Sequence, residues 1–353
     1  MPGPTEQPPG LPGWERWASL EGVVDVVGPR PDGTLVAAAA GRLHLVGPDG
    51  TSSPFGTFTT DPGPAVSIAM APGLEVTGAA CRFPEGEIFA LDPAGQAQAV
   101  VRVPLDGQAA RFVETPPTDR LTGIAFDATG RFGYQLLVSG RRGDRTVVFA
   151  VDCRGRLRTV TDDAPPIEGG MAVATQMFGQ HGGDLVGVDE VSGDVVFVRF
   201  DGTHGVLINP GLPAGPQLGL GGVGFIPVDF IRRDGTAYVA DPGTGALWQI
   251  TPEAFSRVAI DANDMIVATQ SGHTVVVRCR MTCRAMPMAD APGARFQGHI
   301  PVVLGPEPPE PPRAGRIGTI MLAVSTLVIL VGGFVLFFIH NRRNARAREP
   351  DRL

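Results

Sequence analysis

Five side chains in three short segments have the types and spacing for chemistry. His181 of "FGQHGGD" sits in a glycine-flanked loop with Asp184 three residues on, a pairing suited to a general base or a metal ligand. Glu190 is the second candidate for acid-base work. Asp189 in "VGVDE" and Asp241 in "YVADP" occupy matching places in two look-alike segments, where a carboxylate can ligate a hard cation or cap a turn through its own side chain. His44, His204 and His273 fall within or beside tight turns. No Gly-x-Ser-x-Gly, His-Glu-x-x-His or phosphate-binding glycine loop occurs, and "GLGGVG" at Gly219 lacks the strand-to-helix context that phosphate binding requires.

The elements that must position these residues repeat along the chain. Six segments share a polar Gly or Asp turn, an apolar strand, a tight turn and a second strand of β-branched and aromatic residues. They start at Pro31, Gly73, Ile124, Gly182, Arg232 and Asp261. Two strands joined by a glycine-containing turn make a hairpin. Further apolar stretches between the hairpins complete units of about 30 to 60 residues, the range of four-stranded propeller blades. The expected fold is all-β: a β-propeller over residues 20–304 with six blades, or seven if residues 96–123 hold an extra sheet. A pair of β-sandwich domains is the competing architecture.

"RDGTAYVADPGTGALWQI" and "GGDLVGVDEVSGDVVFVRFDG" resemble the blade hairpins of six-bladed propellers of the NHL-repeat, SMP-30/gluconolactonase and streptogramin-lyase-like group. The resemblance implies a divalent cation in the central channel, Ca²⁺ or Mg²⁺, held by a Glu, Asn side chains and an Asp. Asp189 or Asp241 would supply the last. It implies a lactonase, esterase or lyase activity. The chain departs from that pattern: "GVGFIPVDF" stands where an Asn-Gly segment is expected, and Asn209 and Asn263 are the only asparagines in the body. Without that enzyme, no cofactor is expected.

All 29 basic residues are arginine. Residues 1–312 carry 22 arginines against 34 acidic residues, a net charge of −12. A surface of that sign repels nucleic acid and anionic headgroups. Cys279 and Cys283 in "VVVRCRMTCRAM" frame a three-residue loop that a small disulfide can close in an oxidising compartment. For Cys81 and Cys153, a buried thiol and a pairing both stay open.

The chain ends in an apolar run, Ile317 to Ile339, without a charged side chain. As a helix it reaches roughly 34 Å, enough for the hydrocarbon core of a bilayer. Five arginines follow it and only Arg313 and Arg316 precede it closely, so the positive-inside rule places residues 340–353 in the cytoplasm and the body outside. "MPGPTEQPPGLPGWERWASLEG" offers neither a basic n-region nor an apolar h-region, which leaves a start upstream of Met1, a self-inserting span, or a tail anchor with a cytoplasmic body. Residues 305–316, rich in Pro and Glu, read as an extended stalk, and residues 1–19 as a disordered or closing segment.

The functional expectation is a membrane-anchored binding module on the outer face of the cell membrane, presenting its upper loops to a protein or small ligand. A metal-dependent lactonase, esterase or lyase is the alternative.

Overall fold

The computed structural model describes residues 13–61, 66–93, 97–255, 260–307, 334–337, 339 and 342. The chain divides into residues 1–306 and 307–353.

The described residues within 1–306 form a six-bladed β-propeller. Blade 1 runs outward through Val23–Val27, Leu35–Ala39, Arg42–Val46 and Ser52–Thr59. Blade 2 uses Ile68–Met70, Ile88–Asp92, Ala99–Val103 and Ala110–Glu114, with a small hairpin, Glu75–Val76 and Cys81–Arg82, inserted after its inner strand. Blade 3 is Arg120–Phe126, Leu136–Arg142, Arg145–Val151 and Leu157–Ala164. Blade 4 is Met171–Val173, Leu185–Val188, Val195–Val198 and His204–Ile208. Of the stretch 96–123, the described residues 97–123 fall into the outer strands of blade 2 and the start of blade 3, and no seventh blade forms among the described residues.

The last two blades exchange their hairpins. Leu220–Phe225 is the inner strand of blade 5, but it pairs with Met265–Thr269, and His273–Cys279 and Cys283–Asp290 follow outward. The hairpin between them in sequence, Thr236–Asp241 and Ala246–Ile250, belongs to blade 6. There the N-terminal strand Glu15–Ser19 is outermost and the C-terminal strand Val302–Val303 innermost, so both ends of the body close the ring. The hairpins at Arg232 and Asp261 therefore stand in the reverse of their sequence order. Strand pairing is decided by which inner strand each hairpin meets, not by its local pattern.

Six hydrophobic clusters fill the six gaps between neighbouring blades. Middle strands are apolar on both faces because each blade is sandwiched between two others: Arg145–Val151 is buried at every position after its arginine. Between blades 2 and 3, Phe83, Phe89, Phe112 and Phe126 meet edge to face, with ring centroids 4.9 to 6.1 Å apart. Between blades 5 and 6, Trp14 packs on Phe296 and donates its Nε1–H to Thr274 Oγ1 at 2.8 Å, fastening the N-terminal segment.

Both cysteine pairs are disulfides. Cys279–Cys283 closes the turn between His273–Cys279 and Cys283–Asp290 in blade 5, and Cys81–Cys153 ties the inserted hairpin of blade 2 to blade 3 across 72 residues. Cys81 and Cys153 are therefore neither free nor isolated.

Residues 1–12, most of the stalk, most of the run Ile317–Ile339 and nearly all of the tail lie outside the described residues. Phe334–Phe337, Ile339 and Arg342 are helical. Among the described residues no helix is long and apolar enough to cross a membrane.

Candidate functional site at the channel axis

In each blade the inner strand starts at one end of the ring, here the upper face, and the turn between the second and third strands returns to that face. The two ends of the axial channel differ in chemistry.

The upper mouth is a cavity of about 320 Å³ lined by residues of blades 1 to 5 and the C-terminal segment. Its charged wall is an ion-pair group. Glu168 Oε1 accepts hydrogen bonds from Arg120 Nη2 at 2.8 Å and from Arg141 Nη1. The Glu168 side chain is 11% exposed, so the two guanidinium groups hold a carboxylate that is nearly out of water. Glu190, on the second-to-third turn of blade 4, lines the same mouth, and its Oε1 accepts the backbone N–H of Gln217. Gln270 and Gln297 complete the wall, and neither carboxamide makes a side-chain hydrogen bond among the described residues.

The floor of the channel is closed by the segment running into Val302–Val303. Gly298–His299 lies alongside Leu220–Phe225 as a parallel fifth strand at the axis. Only glycine fits at 298: its φ is +82°, and a Cβ there would run into Asp25 Oδ1. Asp25, 1% exposed, accepts the backbone N–H of Val26 (2.9 Å) and His299 (2.8 Å) on Oδ1 and that of Ile68 (2.9 Å) on Oδ2. One carboxylate thereby joins blades 1 and 2 to the C-terminal segment.

The His299 ring completes this hub. Nδ1 lies 3.0 Å from Asp25 Oδ2, and Nε2 lies 2.9 Å from the carbonyl oxygen of Ile124 in blade 3. A carboxylate and a carbonyl only accept, so both ring nitrogens must carry hydrogen and the ring is an imidazolium. Burial works against that charge. The Asp25 charge and hydrogen bond, with the backbone of Ile124 and Met171, outweigh it and raise the His299 pKa above the ordinary histidine value. Below the floor the lower mouth, about 310 Å³, is lined mainly by apolar groups including Met70, Phe126, Val173, Phe225 and Ile300.

The residues singled out by sequence do not converge. Asp189 and Asp241 both stand on upper-face turns, at the ends of second strands and not of innermost ones. Asp189 Oδ1 accepts the backbone N–H of Val191 at 2.9 Å and of Ser192 at 3.3 Å. Asp241 is fully buried and spends both oxygens: Oδ1 on the N–H groups of Gly243, Thr244 and Arg295, Oδ2 on Thr244 Oγ1 and Trp248 Nε1. The turn-capping role holds for both. His181 lies before Leu185–Val188 and Asp189 after it, so the two occupy opposite ends of one strand. His181 Nδ1 is 3.0 Å from Asp184 Oδ2, its ring packs on Phe197, and Arg199 Nε is 3.5 Å from the same carboxylate oxygen. His44 is in mid-strand in blade 1, not in a turn, whereas His204 and His273 begin strands beside turns.

The residues present do not fit a divalent cation. The Asp241 oxygens are taken, Asn209 donates to Asp194 at 2.8 Å, and Asn263 stands at the lower end of blade 5, its backbone N–H donating to the Ile226 carbonyl. At the axis itself Asp25 already holds the positive charge of His299. Among the described residues no group of three His, Cys, Asp or Glu side chains is placed to hold a metal ion.

Sequence reasoning passed over Asp25 and His299. A lone acid within "VVDVV", a run otherwise fit for the core, is the signal that points to the first; a histidine after glycine in "FQGHIP" points to the second only weakly. It also missed a repeated bridge at the lower end of three blades. An acid just before the second strand meets an arginine on or just past the third: Glu87–Arg102 at 2.7 Å, Asp184–Arg199 at 3.5 Å and Asp264–Arg278 at 2.6 Å.

No protein-family model matches the chain, and no curated protein matches it. Solved structures do. A luciferin-regenerating enzyme is 10% identical with a TM-score of 0.50, over 81% of this chain and 83% of that one. A putative oxidoreductase (glucose dehydrogenase) from Thermus thermophilus is 15% identical with a TM-score of 0.49, over 81% and 89%. Virginiamycin B lyase from Staphylococcus aureus is 12% identical with a TM-score of 0.44, over 76% and 86%. These similarities concern the fold; at such identities they carry no chemistry.

Proposed function

We propose that the chain is a membrane-anchored binding module whose ligand enters the upper mouth of the propeller. The carrying observation is the mouth itself: a cavity of about 320 Å³ floored by a closed channel and lined in part by Gln270 and Gln297, whose carboxamides make no side-chain hydrogen bond among the described residues. Concave sites of this size with a few convergent polar groups are where small ligands bind. Polar amides beside the Arg120–Glu168–Arg141 group favour a small polar ligand that both donates and accepts hydrogen bonds, or a polar loop of a protein.

Two features support the anchor and an outward-facing body. The run Ile317–Ile339 has the length and composition of a span, with its arginines mostly on the C-terminal side. All four cysteines are paired, as befits an oxidising compartment. External protease on intact cells tests this: loss of the body from sealed cells supports it, and protection until lysis defeats it.

A thermal-shift screen of small polar compounds, lactones included, tests the ligand site. Compounds that stabilise the wild type and lose that effect in the Gln270→Ala/Gln297→Ala variant support the reading; stabilisation that survives the double change sinks it. Catalysis is the second reading, favoured by one observation: Glu168 and Glu190 line the same mouth and give it two carboxyl groups. Turnover of a stabilising lactone or ester, abolished by Glu190→Gln, would replace the binding reading with it.

A further inference from the structure

The two faces of the ring differ in what their turns expose. Among the described residues of the body, six large apolar side chains at lower-face turns are solvent-exposed: Leu105, Met177, Phe200, Val228, Ile231 and Met281, from 44% to 91%. The upper-face turns expose two, Val191 and Leu218. Scattered exposed hydrophobics are ordinary on a soluble surface; concentration at one end of a ring is not.

Two of the six are held on stiff supports. Met281, 91% exposed, is the middle residue of the loop closed by Cys279–Cys283. The turn that bears Met177 leans on that loop, where a Cβ on Gly179 would run into the Arg280 carbonyl oxygen. Ile231 and Met281 each precede or follow an arginine at the tip. Arg232 Nε is 3.2 Å from Asp229 and Arg280 Nη2 is 3.5 Å from Asp261, so the tips alternate apolar, cationic and anionic groups. That mixture suits a zwitterionic headgroup layer, whereas the net charge of −12 on residues 1–312 disfavours an anionic one.

The chain also leaves the body at this end. Val302–Val303 runs downward beside Thr236–Asp241, and Arg233 Nε donates to the Gly305 carbonyl at 2.8 Å. In the sequence only the ten residues 307–316 separate this point from Ile317, and ten residues at polyproline rise reach about 31 Å.

We propose that the lower face of the propeller docks on a zwitterionic lipid surface, inserting the tips at Met177, Ile231 and Met281 at headgroup depth and turning the upper mouth away from the membrane. This rests on the anchored reading given above.

Tryptophan reporters in the full chain, reconstituted into phosphatidylcholine vesicles with or without brominated acyl chains, test it. Ile231→Trp and Met281→Trp probe the lower face, Met177→Trp stands in should either fail to fold, and Val191→Trp probes the upper face. Docking predicts that bromination reduces the added lower-face emission about twofold and leaves Val191→Trp unchanged. Flotation of the same samples separates the two readings. Chains that float without lower-face quenching, or with equal quenching at Val191→Trp, overturn the docking and leave the anchor standing. Chains that fail to float overturn both.

Discussion

His299 Nδ1 lies 3.0 Å from Asp25 Oδ2 although 274 residues separate them, and this pair fixes the C-terminal segment across the axis of the ring. Its partners come from blades 1, 2 and 3, so the hub closes the channel and resists splaying of the blades together. Removing one member of a buried pair leaves the other charge uncompensated, at a cost of about 3 to 5 kcal/mol. His299→Gln should lower the urea midpoint by a corresponding amount with little change in slope. A loss below about 1 kcal/mol would show that the ring is held elsewhere.

The same pair sets a pH dependence. The folded-state pKa of His299 is raised above the ordinary value of about 6.5, so its contribution is complete below that pH and fades as pH rises through the folded pKa. The stability gap between wild type and His299→Gln should be widest near pH 6 and shrink in alkaline buffer. A gap that grows with pH would contradict the imidazolium assignment.

Gly298→Ala should destabilise by more than the roughly 1 kcal/mol of a strained backbone alone, because the added methyl meets the Asp25 carboxylate as well. Gly293→Ala is the comparison: its φ of +86° is equally unfavourable, but no atom lies within 4 Å of the added methyl. Equal midpoints for the two variants would remove the close approach as a cause.

The disulfides should contribute unequally. Chain entropy gives about 4 kcal/mol for the 72-residue separation of Cys81–Cys153 and about 2 kcal/mol for the four-residue separation of Cys279–Cys283. Calorimetry of the paired Cys→Ser variants should rank the melting temperatures in that order.

At the upper mouth, Glu168→Gln removes the charge shared by Arg120 and Arg141. Because both arginines are partly exposed, the stability change should stay under about 1 kcal/mol. The mouth should then bind small anions more tightly, by several-fold in isothermal titration with a carboxylate such as gluconate. Unchanged anion affinity would show that those arginines do not face the ligand.

Local pattern made the hairpins legible. "DLVGVDEVSGDVVFVRF" reads as two strands about a turn because its β-branched residues are separated by Asp and Gly, and the structure has strands there. The turn roles of Asp189 and Asp241 were legible for the same reason, since a carboxylate that caps a turn bonds to groups two or three residues on. The hairpins Thr236–Ile250 and Met265–Cys279 look alike in pattern, and nothing within either one says that the later belongs to blade 5 and the earlier to blade 6.

The sequence by itself thus determined the strands, the turns and the short cysteine loop, because these depend on neighbours a few residues apart. Tertiary structure alone decided the exchange of the last two hairpins, the Cys81–Cys153 bridge, and the meeting of Asp25 with His299. Each of these depends on ring closure, which brings together groups dozens to hundreds of residues apart, and no local spacing encodes which of them will meet.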